Sequence, residues 1–179
     1  MNNAIGMLEF NSIAAGIETC DAMVKAAQVD LLRACTLCPG KYMVIVAGEV
    51  GPVQASVRQG KIVGGEFIVD ELIIPNLHKQ VIPAVALTNQ ITEFGAVGVL
   101  EFYSVASAIV AADMAAKAAQ ITLIEVRTGF AIGGKGFVTL TGDVGAVRAA
   151  VAAAEKASDL LVKSIVIPRP AKQLLETLL

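Results

Sequence analysis

Two of the chain's three cysteines stand in the run Cys35-Thr36-Leu37-Cys38-Pro39-Gly40. Paired thiols three residues apart support several chemistries. A thiolate at a helix start exchanges disulfides, because the helix dipole lowers its pKa. Two such thiols are half of a zinc ribbon when a second pair or histidines complete the set. Thiolates also hold iron–sulfur clusters. The same residues can equally form a turn that happens to contain cysteine. Here a Pro-Gly pair and a β-branched run follow Cys38, the sole histidine is His78, and no second cysteine pair exists. Those facts argue against dithiol redox and a zinc ribbon. They leave open a site completed by other copies of the chain. Cys20 falls within a helix-like stretch and reads as packing. So does Cys35, with an indirect part in a site at Cys38 left open.

The elements that must position these residues come from composition and repetition. Hydrophobic residues make up 55% of the 179 positions and charged residues only 17%, against roughly 25% charged in average soluble chains. The apolar excess implies either a membrane or burial against further copies. A spanning helix needs about 20 apolar residues without charge. The best candidate, residues 96–119, is cut by Glu101, Asp113 and Lys117. No basic-then-apolar leader with a cleavage site is seen at the start, so a cytoplasmic, reducing setting is expected. An odd cysteine count argues against a disulfide framework. The formal net charge of −2 offers no basic footprint for nucleic acid. Oligomerisation through alanine- and valine-rich faces accounts for the composition.

The chain repeats itself. "IGMLEF" at residues 5–10 returns as "VGVLEF" at 97–102, and "DAMVKAAQVDLL" at 21–32 as "DMAAKAAQITLI" at 113–124. "GEVGPVQASV" at 48–57 returns as "GDVGAVRAAV" at 142–151, and "LIIP" at 72–75 as "IVIP" at 165–168. Order is kept and the offset stays at 92–94 residues, longer than solenoid periods of about 20–50. This is a duplicated domain, with copies at residues 1–92 and 96–179. Each copy predicts β-α-β-β-α-β, the ferredoxin-like order of an α+β fold. Ser12 is placed to cap the first helix. Pro52 suits the first turn of the second helix and Gly60 its C-terminal stop. A terminal helix, broken or bent near Pro83, follows the last strand.

In this order "DMAAKAA", "GFAIGGKG", "TGDVGAVRAAV" and "SIVIPRP" resemble the bacterial microcompartment (BMC) shell domain, and the likeness spans nearly the whole chain twice. The resemblance implies a non-enzymatic shell protein. A tandem pair is similar to trimeric shell proteins in which six domains form a pseudohexagonal tile, joined edge to edge with other BMC shell proteins. It also implies that Lys25, Lys117 and Arg169 lie at tile edges. In the first copy Asn76 and His78 stand in the region of Arg169.

The resemblance further places the loop after each second strand at the symmetry axis, where it normally frames a pore. The second copy has a glycine loop, Arg127 to Gly136; the first is shorter by two residues and puts Cys38, Pro39 and Gly40 there. A trimer then gathers three Cys38 thiolates around one axis. Such a set fits three corners of a [4Fe–4S] cubane, one cluster per trimer, with the fourth iron along the axis. Pro39 fixes φ and Gly40 permits a sharp turn. Within the family, this Cys-Pro-Gly loop is similar to that of the iron–sulfur tandem shell proteins of propanediol utilisation. Electron transfer across the shell, with a redox partner enzyme, is the function this implies. The alternatives are zinc held by three Cys38 thiolates and water, or a passive tile with a small-molecule pore.

Overall fold

The computed structural model describes residues 3–91 and 93–177. The chain divides into two compact units. One runs through Leu77 and includes Phe130–Gly133; the other holds His78–Gly129 and the chain from Gly134 onward.

The first unit follows the expected order: β1 (Ala4–Phe10), α1 (Ile13–Ala26), β2 (Asp30–Leu37), β3 (Lys41–Gly48), α2 (Val50–Gly64) and β4 (Ile68–Pro75). The strands form one antiparallel sheet in the order β2-β3-β1-β4. β1 is buried along its whole length, as a central strand covered on both faces must be. Ser12 caps α1, accepting from the Ala15 N–H at 3.3 Å, which satisfies one of the orphan donors of the first turn. α1 and α2 pack together, tied by the Ser56 hydroxyl donating to the Met23 carbonyl at 2.9 Å. The core gathers Leu8, Phe10, Met23, Val44, Val46 and Val57.

Gly60 does not stop α2. The helix runs on through Gly64 and ends at Gly65, whose positive φ of 48° with ψ −128° is a backbone conformation suited to glycine. Gly60 lies mid-helix for a packing reason. A Cβ there would come within 2.5 Å of Leu8 Cδ1 and 2.8 Å of Met23 Cγ.

The second unit repeats the plan. It contains α3 (Val81–Val85), β5 (Ala96–Phe102), α4 (Val105–Ala118), β6 (Thr122–Thr128), β7 (Gly136–Gly142), α5 (Val144–Ala154), β8 (Leu161–Ile167) and α6 (Lys172–Leu175). Its sheet order is β6-β7-β5-β8. Pro83 neither breaks nor bends a long helix. α3 is a single five-residue turn with Pro83 as its third residue, where proline's missing N–H costs no intrahelical bond. The segment around α3 seals the edge of β6. Gln80 Nε2 donates to the Ile121 carbonyl at 2.9 Å, and Gln80 Oε1 accepts from the Leu123 N–H at 2.8 Å. Asn89 Nδ2 donates to the Leu123 carbonyl at 2.7 Å. Side chains thus complete a ladder that a neighbouring strand would otherwise fill.

Candidate functional site

Cys38, Pro39 and Gly40 form the turn between β2 and β3. Leu37 and Lys41 are the last facing pair, and the Gly40 N–H closes the turn onto the Leu37 carbonyl at 2.9 Å. The Cys38–Pro39 peptide is cis, and Gly40 has φ 84°. Nothing would crowd a Cβ at Gly40, so glycine is required there by backbone conformation alone. Cys38 is half-buried; Pro39 and Gly40 are exposed at the tip.

The corresponding turn of the second repeat is built differently. Thr36 faces Tyr42 with five residues between them; Thr128 faces Gly136 with seven. The longer loop carries four positive-φ residues, Gly129, Ala131, Gly133 and Gly134. It has no cysteine. The two-residue difference confines the thiol to the shorter, stiffer turn.

All three cysteines are free thiols. Cys35 is on β2 opposite Met43, inside the ladder and short of the turn. Burial pushes its thiol up, and Arg33 beside it, by charge and hydrogen bond, pulls the other way. Cys20 packs against the core beside Tyr42, and burial with the neighbouring Asp21 raises its thiol as well. Raised values suit packing roles and oppose nucleophilic ones. The Cys-x-x-Cys pair straddles a strand end and a turn, so the helix start that a dithiol centre uses is missing. Among the described residues no group of three or more His, Cys, Asp and Glu could hold a metal ion within one chain. His78 serves the backbone: its N–H donates to Asp113 Oδ1 at 2.8 Å, and its Nδ1 faces the Gln80 N–H at 3.4 Å.

The residues assigned to tile edges lie in unlike settings. Lys25 is exposed and pairs with exposed Asp21 at 2.6 Å. Lys117 pairs with Asp113 at 2.5 Å, but that carboxylate is buried and also holds the His78 N–H. Arg169 is exposed, just beyond β8.

Two features escaped the sequence reading. Lys41 reaches back to buried Glu9 at 2.7 Å, and Lys135 makes the same pair with Glu101 at 2.8 Å. The equivalence of the two glutamates was visible, but their partners lie across the shifted loops. Gln80 was also missed, although Lys-Gln recurs 93 residues later as Lys172-Gln173.

Two sheets of one topology, each beneath a helix pair, define a tandem shell-domain architecture, and comparison with known proteins agrees. The BMC domain model matches residues 4–77 and again 96–170. The chain therefore belongs to the BMC-domain family and carries the domain twice. It is 45% identical over 173 residues to the bacterial microcompartment shell protein PduT of Citrobacter freundii, covering 95% of this chain and 94% of that protein. The carboxysome shell protein CsoS1C of Hydrogenovibrio crunogenus is 40% identical over 89 residues, 48% of this chain and 87% of its own. The crystal structure of a microcompartment protein from Desulfitobacterium hafniense superposes with a TM-score of 0.94 at 49% identity, over 97% of this chain and 98% of that one. A fused, permuted hexameric shell protein of the RMM microcompartment shares the fold at a TM-score of 0.59 and 24% identity, over 86% and 79% of the two chains. This chain is a structural component of a bacterial microcompartment shell. BMC shell proteins assemble into oligomeric tiles, and their role is generally structural rather than enzymatic. No helix among the described residues is long and apolar enough to cross a membrane.

Proposed function

We propose that the chain forms a homotrimeric tile, its two shell domains spanning residues 1–92 and 96–179, and that Cys38 of three copies binds one [4Fe–4S] cluster on the threefold axis. The observation that carries this reading is a half-buried thiol at the tip of a closed three-residue turn, present in one repeat and absent from the other. One thiolate per chain holds no cluster alone. Three related by a threefold axis supply three equivalent ligands, which matches a cubane's own diagonal. When bound, the cluster supplies one-electron transfer. Cys38 supplies the ligand sulfur, and the Pro39–Gly40 turn fixes its distance from the axis. Backbone N–H groups near the sulfurs tune the potential. Cys35, within the ladder, is left out of the ligand set. Electrons then cross the shell to or from a redox partner enzyme. Exposed Lys25, Lys117 and Arg169 contact neighbouring shell proteins.

Protein purified without oxygen and with ample iron tests the reading. A brown trimer with iron and sulfide in cluster stoichiometry is expected. Cys38→Ser should be colourless, and Cys35→Ser should keep the colour. Colourless, iron-free wild type would leave a passive tile with a pore, and bound zinc in place of iron would replace the electron role by a structural one.

A further inference from the structure

An ion pair sits at the foot of the Cys38 turn. Pairing between β1 and β3 ends where Phe10 faces Tyr42. Lys41, one residue nearer the turn, lies beyond that last rung, yet its ammonium reaches back to Glu9 Oε1 at 2.7 Å. On the other limb Leu37 is buried, faces Lys41 and accepts from the Gly40 N–H. Cys38 is thus held between two fixed ends. An apolar anchor precedes it, and an electrostatic anchor follows the turn. Lys41 is also the charged residue closest to Cys38 in the sequence.

The second copy builds the same pair, Lys135 on Glu101 at 2.8 Å, again just before the last facing pair, Phe102 and Gly136. Its loop has no cysteine, and Lys135 also stands 5.7 Å from the centre of the Tyr103 ring. Glu101 is partly exposed, whereas Glu9 is buried. A buried carboxylate carries a desolvation penalty, and it is carried in the copy that holds the thiol.

We infer that Glu9 and Lys41 are a positioning pair for the Cys38 ligand and set the charge beside it. The inference rests on the cluster reading above. Position follows from the tie: with Lys41 held to the central strand, the turn is fixed and the sulfur keeps its distance from the axis. Loss of a group that orients a ligand typically changes metal affinity about 10–100-fold. Charge follows from neutrality. A cluster's potential responds to the net charge around it, and Lys41 paired with Glu9 contributes none. Deleting the carboxylate alone leaves an unneutralised cation, which favours the reduced, more negative cluster. Deleting both groups restores neutrality without restoring the tie.

Cluster-loaded trimers purified without oxygen test it by two readouts, iron loss to a ferrous chelator and the midpoint potential from an EPR-monitored titration. Glu9→Gln should lose iron about tenfold faster or more and show a higher potential than wild type. Glu9→Gln combined with Lys41→Met should lose iron as fast, with its potential back at the wild-type value. A merely loosened fold would not separate the two readouts in this way. Lys41→Arg, which keeps charge and reach, should match wild type in both, and Lys135→Met should retain iron as wild type does. Three results overturn the pair's role and leave the cluster standing: a Glu9→Gln potential at or below wild type, a double variant that holds iron as firmly as wild type, or iron loss from Lys135→Met equal to that of Glu9→Gln. Wild-type trimers that bind no iron remove both.

Discussion

Glu9–Lys41 and Glu101–Lys135 are the same ion pair built twice, at 2.7 Å and 2.8 Å, in different surroundings. The Glu9 side chain is 4% exposed, and that of Glu101 36%. Lys41→Met strips a buried carboxylate of its cation. Removing one member of a buried pair costs about 3–5 kcal/mol. Lys41 itself is about one-third exposed, so water reaches its side of the pair and reduces the loss to about 2 kcal/mol. In a chain of this length that lowers Tm by about 4–8 °C. Lys135→Met, beside an accessible carboxylate, should leave Tm within error, as exposed pairs usually do. The assay is thermal unfolding at matched protein concentration, since assembly shifts apparent stability. The double variant Glu9→Gln with Lys41→Met should recover part of the loss, because no buried charge is left alone. Equal drops for the two lysine variants, or no drop for Lys41→Met, would refute burial as the deciding factor.

Three further outcomes follow from packing and titration. A Cβ at Gly16 would sit 2.6 Å from Tyr42 Cβ, an atom fixed to the backbone. Overpacking of about 1–3 kcal/mol outweighs a helix-propensity gain of about 1 kcal/mol, so Gly16→Ala should lower the urea midpoint. Gly51→Ala, with nothing within 4 Å, should raise it slightly. Burial raises the Cys20 and Cys35 thiols, so the folded state holds those protons more tightly than the unfolded chain. Their contribution is complete below the ordinary thiol range and is lost as pH climbs through the raised values. Wild-type Tm should therefore fall faster than that of Cys20→Ser with Cys35→Ser above about pH 9.

The duplicated α+β plan was legible because apolar strings and cap residues such as Ser12 recur in register, and local pattern decides local structure. Where long-range packing decides, the pattern misleads. Gly60 looks like a stop, yet its hydrogen atom is what lets α2 approach Leu8 and Met23. The turn at Cys38 was legible from Pro-Gly and from the mismatch in loop length between copies. The partners of Glu9 and Glu101 were not, since strand register across a loop of altered length is a tertiary fact. Gln80 was hidden for a related reason: a side chain that stands in for a neighbouring strand has no periodic signature.

The seal over β6 has a consequence for the chain's life before it meets any partner. An open strand edge is a template for indiscriminate pairing. Because the closing segment is tethered to what it covers, it acts at a high effective concentration that dilution does not lower. A newly synthesised subunit thus leaves the ribosome with that flank already guarded, and exposure to misassembly is concentrated at its other borders.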